Sequence, residues 1–184
     1  MPPIAMRQNH AAHPVEQLAA STDPGALGAF VRRAGELLSG NDGIAYEPAR
    51  DGLLILAQAE DELDDPRRVL RDAFGSGVRF GAPSVRLRYA DGWQQPIMGF
   101  RVAATAADLP RIESGLAQRG AKIADIERRN DDAVVRGQAP LARLLGYPRA
   151  LRRLSAGRAH ATFWLSHYEP LWSYSSETMA CYPG

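Results

Sequence analysis

The chain has 184 residues, 45% of them apolar, and a formal net charge of +1, which allows one large or two small domains with apolar side chains enough for a core. No uninterrupted apolar stretch approaches the roughly 18 to 20 residues of a membrane-spanning helix, and the opening MPPIAMRQNHAAHP lacks the apolar centre of a secretory signal. A single cysteine, Cys181, excludes an internal disulfide and suits a reducing compartment. The expectation is a cytoplasmic protein with no membrane partner.

The near-neutral total conceals an asymmetry. Residues 1–92 hold ten basic and thirteen acidic side chains, whereas residues 93–184 hold twelve and eight, so any anionic partner is expected on the second half. Twenty-one of the 22 basic residues are arginine, with Lys122 the sole lysine. A GC-rich genome accounts for that bias, but the chemistry follows either way: guanidinium forks bind phosphate in a bidentate manner and stack on rings.

The predicted elements occur in one order, twice. Pro14–Ala20 reads as a strand. Asp23 as N-cap and Pro24 at the first helical position then open an amphipathic helix carrying Leu27, Phe30, Val31, Ala34, Leu37 and Leu38, which ends near Gly40. Ile44–Pro48 and Leu53–Ala57 form a hairpin about Arg50, Asp51 and Gly52. Asp65 before Pro66 caps a second helix bearing Val69, Leu70, Ala73 and Phe74, which stops at Gly75, and Val78–Tyr89 is expected as one strand with Val85, Leu87 and Tyr89 on a common face.

The second half repeats this with Ile97–Ala104, a helix over Ala107–Arg119, strands Ala121–Arg128 and Ala133–Gln138, a partly helical Leu141–Leu154, and Arg158–Ser166. Asn130-Asp131-Asp132 suits the hairpin turn. The expected class is α+β, two ferredoxin-like (β-α-β-β-α-β) split sandwiches in tandem. They cover residues 14–89 and 96–170, joined at Ala90–Gln95, with residues 1–13 and 173–184 as tails.

Motifs in the second half resemble the fifth, C-terminal domain of elongation factor G. They are QQPIMGFRV (Gln94–Val102), LAQRGAKI (Leu116–Ile123), APLARLLGYPRALRRLSAGRA (Ala139–Ala159) and SHYEP (Ser166–Pro170), in the family's order and at similar spacings. The first half is similar, more faintly, to the third domain. Gly81, Pro83 and Val85 follow Phe74 as in a GxPxV strand entry, and AEDEL (Ala59–Leu63) matches part of a GELHL helix start, its glycine and histidine replaced. The resemblance implies a cut-down relative without the family's second and fourth domains. It also implies docking near the factor-binding site of the ribosome, because the fifth domain of the family lies against large-subunit rRNA and its stalk-base protein. No GxxxxGKS or GxxxxGKT phosphate loop occurs, so no nucleotide, cofactor or GTPase activity is expected.

The densest basic cluster, Arg149, Arg152, Arg153 and Arg158, with Arg143, Lys122, Arg128 and Arg129 as further members, is the candidate rRNA or partner surface; the same residues also suit a solvated helix face. Tyr147 beside it is expected to anchor the core or to stack. His160 and His167, seven apart, should point to opposite faces of a regular strand and share no metal. The run Glu60, Asp61, Glu62, Asp64 and Asp65 fits a helix start better than a cation site. No serine or cysteine stands in a GxSxG elbow, so the expectation is not an enzyme. Tyr168, Trp172, Tyr174 and Tyr182 form an aromatic end that either packs on the sheet or makes a homodimer contact. The alternative function is a regulatory or assembly module binding a protein or small molecule through paired sheets.

Overall fold

The computed structural model describes residues 13–41 and 43–171; the expectations for Trp172, Tyr174 and Tyr182 lie outside them. The chain divides into two compact units between Ser84 and Val85.

In the first unit β1 (Val15–Ser21) leads through a 3₁₀ turn into α1 (Leu27–Leu38), followed by β2 (Ile44–Ala49), β3 (Gly52–Ala57), α2 (Asp64–Phe74) and β4 (Val78–Phe80). The sheet order is β2-β3-β1-β4, with β5 (Ser84–Val85) also on β1. The pairs β1–β3, β1–β4 and β2–β3 are antiparallel. Asp23 caps as expected, its Oδ1 accepting from the Gly25 amide at 2.8 Å. Phe30, Ala34 and Leu38 of α1 are buried together with Val15, Ala19, Leu53 and Ile55 of the sheet. Phe30 meets Phe74 at 4.7 Å between ring centroids. Each large apolar side chain of this kind contributes about 1.5 to 3 kcal/mol by leaving water.

The acidic run is consumed by helix starts. Glu62 accepts from the amide of Gln58 at 2.9 Å, while Asp64 pairs with Arg67 and Asp65 with Arg68. Asp65 sits inside the first turn of α2 rather than at its cap. Among the described residues no group of three His, Cys, Asp or Glu side chains could hold a metal ion.

The expected strand Val78–Tyr89 is three pieces. Gly81 and Pro83 interrupt it after Phe80, and its last part, β6 (Arg88–Tyr89), pairs with β7 (Trp93–Thr105) in the second sheet. Asp91 (φ 53°) and Gly92 (φ 127°) make the β6–β7 turn, where a linker was expected. Proline lacks the amide that a continuous ladder needs, which is the physical reason for the break.

The second unit continues with α3 (Leu109–Gln118), β8 (Lys122–Arg129), β9 (Asp132–Pro140), α4 (Leu141–Leu144), α5 (Tyr147–Leu154) and β10 (His160–Pro170). Its order is β10-β7-β9-β8, antiparallel throughout this path. Both units therefore have the 4-1-3-2 strand order of the ferredoxin-like α+β sandwich, as open sheets with helices on one face. Met98, Phe100 and Val102 from β7 are fully buried, as are Ile112 and Leu116 of α3, and Tyr147 and Leu151 of α5 are nearly so. Among the described residues no helix is long and apolar enough to cross a membrane.

Candidate functional site

The helical layer of the second unit concentrates the basic side chains. The α5 segment YPRALRRL buries Tyr147 and Leu151 and turns Arg149, Arg152 and Arg153 to solvent. Gly146, at φ 76°, supplies the left-handed turn that separates α4 from α5. Three arginines at positions i, i+3 and i+4 share one ridge, where like charges repel, so an anion bound across them relieves that repulsion. The side chains of Arg149 and Arg153 have no ion-pair or hydrogen-bond partner among the described residues.

Beside the ridge lies a pocket of about 430 Å³ between α3 and α5, lined by Gly115, Gln118, Arg119, Tyr147, Arg153 and Leu154, among others. Arg119 was not foreseen from the sequence. Its Nη1 donates to the Arg143 carbonyl at 2.7 Å and to that of Leu145 at 3.4 Å, and its guanidinium lies 5.1 Å from the Tyr147 ring centroid. It thus clasps the α4–α5 turn and adds a cation to the pocket wall. The only sequence signal for it was a lone arginine just past the end of a helix.

Tyr147 is a core anchor. It is 1% exposed and meets Phe163 edge-on at 6.4 Å, and its hydroxyl has no hydrogen-bond partner among the described residues. Burial pushes its phenol up to about 12, against the opposing pull of Arg119.

The remaining candidate residues are dispersed. Arg158 Nη2 donates to both oxygens of the buried Asp108 carboxylate at 3.0 Å, so its charge is already matched. Arg128 lies 3.8 Å from Glu113, and Arg129 3.3 Å from Glu127. Arg143 is exposed on α4. Lys122 stands opposite Gln138 in the β8–β9 ladder, on the sheet face away from the helices, since directly paired residues share a face. The structure brings Arg149, Arg152 and Arg153 together and leaves Lys122 and Arg129 elsewhere.

His160 and His167 do not lie on opposite faces. A bulge between Leu165 and His167 shifts the register, so His160 faces Ala103 and His167 faces Ile97, two residues of one parity on β7. His167 Nε2 is 2.9 Å from Glu169 Oε1 and its Nδ1 is 3.1 Å from Ser166 Oγ, a strand-end arrangement. Tyr168 packs under Arg88, 4.2 Å from guanidinium carbon to ring centroid.

Residues 94–178 match the family described as elongation factor G C-terminus. The similarity to elongation factor G falls within the second unit. A mitochondrial ribosome-releasing factor 2 from Danio rerio is 35% identical over 77 residues, covering 42% of this chain and 10% of the relative. An elongation factor G from Fervidobacterium nodosum is 40% identical over 75 residues, covering 41% and 11%. The chain thus spans about a tenth of the length of the curated relatives it matches. A crystal structure of a protein from Thermus thermophilus superposes with a TM-score of 0.63 at 15% identity, over 91% of this chain and 42% of that one; at such identity the likeness concerns the fold. Residues 94–178 are thus similar to the C-terminal domain of elongation factor G, which supports an origin related to translation factors.

Proposed function

We propose that this protein is a non-catalytic, elongation factor G-like protein that binds large-subunit rRNA near the factor-binding site and modulates access of translation factors. The observation that carries the reading is the arginine ridge of α5, with Arg149 and Arg153 unpaired, on a domain related to the C-terminus of elongation factor G. Arg149, Arg152 and Arg153 contact phosphates, with Arg119 and Arg143 at the border of the same surface, and no nucleotide or cofactor takes part. In this reading residues 14–89 correspond to the family's third domain and residues 96–170 to its fifth, and the protein works in the cytoplasm, where ribosomes are.

Binding of this kind releases counterions and weakens with salt, each neutralised phosphate adding about 0.7 to 0.9 to the log–log slope. Sedimentation with ribosomes and separated subunits over a salt series tests it. Saturable large-subunit binding is expected. Arg149→Glu with Arg153→Glu is expected to weaken it at least tenfold and to lower the salt slope by about 2, without lowering the thermal midpoint. Absence of large-subunit binding at low salt, or unchanged binding by the doubly reversed variant, would overturn the reading.

A further inference from the structure

The sheet of the second unit has a second surface, on the side away from α3 and α5. There the ladder places Trp164 opposite Gly99, Gln138 beyond Gly99, and Lys122 at the edge. A Cβ at Gly99 would run into Cε2, Nε1 and Cζ2 of the Trp164 indole. These are three consecutive ring atoms at similar distances, so the indole lies with one face on the strand backbone. The side chain a sheet normally places there is missing, and the ring fills its position. Trp164 is nevertheless 45% exposed, so its outer face meets solvent.

The neighbours of that ring are polar and cationic. In the adjacent row Thr162 and Arg101 face each other, both exposed. The Arg101 guanidinium has no ion-pair or hydrogen-bond partner among the described residues. Of the acidic groups of the same face, Asp125 and Glu127 share Arg136, at 2.8 Å and 3.3 Å, Glu169 binds His167, and Asp132 stands at the far end of the ladder, opposite Thr105 and Arg129. Next to Trp164, therefore, the charged side chain without a partner among the described residues is Arg101. On its other side Gln138 Nε2 donates to Ser166 Oγ at 3.1 Å, which holds the amide in place.

We propose that Trp164 is a stacking platform for an unpaired base of single-stranded RNA, with Arg101 on the adjoining phosphate. A flat aromatic ring on an open sheet offers a π-face to any base, and only a strand whose bases are splayed out can reach it, because paired bases are already stacked. A protein partner would gain from a larger apolar patch, whereas here a single ring is surrounded by Arg101, Thr162 and Gln138. The surface is distinct from the arginine ridge, and the proposal does not rest on ribosome docking.

The test is titration of labelled oligo-U and oligo-A RNA of about ten nucleotides, within the roughly 4 to 16 such platforms cover, read by fluorescence anisotropy. Wild type is expected to bind single strands better than a duplex of the same length. Trp164→Ala should weaken binding by about 5-fold to 150-fold, the effect of losing one stacked base. Trp164→Phe should retain most of it, and Gly99→Ala should lose much of it by lifting the ring while the indole remains. Thermal melts of the four proteins show whether each is folded, and Trp164→Phe keeps the comparison readable if the alanine variant is not. Absence of single-strand binding by wild type, or equal binding by Trp164→Ala, overturns the proposal. So does a concentration-dependent dimer that Trp164→Ala dissolves, which would give the ring to a second copy. Oligonucleotide binding by a wild-type protein that fails to pellet with the large subunit at low salt would sink the docking reading and leave this one standing.

Discussion

In the first unit the helical segments Pro24–Leu38 and Glu60–Phe74 carry five arginines and seven carboxylates, and Arg33, Arg67 and Arg68 each pair with an acid three residues away. In the second unit the helices α3, α4 and α5 carry five arginines and one glutamate, and Arg149 and Arg153 stand unpaired among the described residues. The topology is the same in both. Because the first unit builds the sandwich with a helical layer in which acids outnumber arginines, the surplus of the second is not a requirement of the fold. Uncompensated like charge at helical spacing costs stability, a cost that the proposed anionic partner would offset. The units also differ in strand length, 13 residues in β7 against seven in β1, and the longer sheet is the one that presents an exposed ring on its open face.

The largest effects should come where both units depend on a missing side chain. Gly52 in β3 and Gly137 in β9 are both in the third strand of their sandwich, and a Cβ at either would meet backbone: the Ala19 carbonyl oxygen and Ala20 Cα for Gly52, the Lys122 carbonyl oxygen for Gly137, with Phe100 also pressed. Backbone in a ladder cannot step aside, so Gly52→Ala and Gly137→Ala should each cost about 3 kcal/mol. At Gly99 the obstruction is a side-chain ring that can swing out, and Gly99→Ala should cost about 1 kcal/mol or less. Urea denaturation of the three variants checks the order. Equal losses at Gly99 and Gly137 would mean that the Trp164 ring is locked as firmly as backbone.

A smaller difference separates the buried and exposed carboxylates. Asp108 is 4% exposed and takes two contacts from Arg158 and one from Thr105 Oγ1 at 3.0 Å. Asp108→Ala leaves those donors without an acceptor and should cost about 1 to 3 kcal/mol. In the first unit Glu36, half exposed against Arg33, is held by a surface pair, and Glu36→Ala should change stability by under about 0.5 kcal/mol. A loss of equal size at both positions, measured by denaturation, would erase the distinction.

The residues that decide local structure were readable in order: Asp23 and Pro24 opened a helix, Asn130 (φ 51°) turned a hairpin, and alternation placed the strands of both sandwiches. What sequence could not supply was register. The bulge after Leu165 reverses the parity that put His160 and His167 on opposite faces, and the pairing of Trp164 with Gly99 depends on how two segments far apart in the chain align. The arginine cluster was legible as composition but not as geometry, because whether Arg158 or Arg128 is spent on a carboxylate is a question of tertiary distance. Arg119 was missed for the same reason: its role is to reach two carbonyls 24 and 26 residues away.

The smallest expected effect concerns Tyr147, the aromatic anchor under the ridge. Its ring does the packing, while its hydroxyl is buried without a partner among the described residues, so Tyr147→Phe keeps the ring and removes a group whose desolvation is uncompensated. At neutral pH the variant should be as stable as wild type or slightly more so, within about 1 kcal/mol. The pH dependence separates the two proteins further. The folded phenol is raised to about 12 from the ordinary value of 10.0, so between those values the unfolded chain releases a proton that the folded chain retains. Stability from this group is complete below about pH 10 and falls as pH rises through about 12. Thermal midpoints taken from neutral pH to about pH 11 should decline more steeply for wild type than for Tyr147→Phe. Parallel slopes in the two proteins would mean that the Tyr147 phenol reaches water.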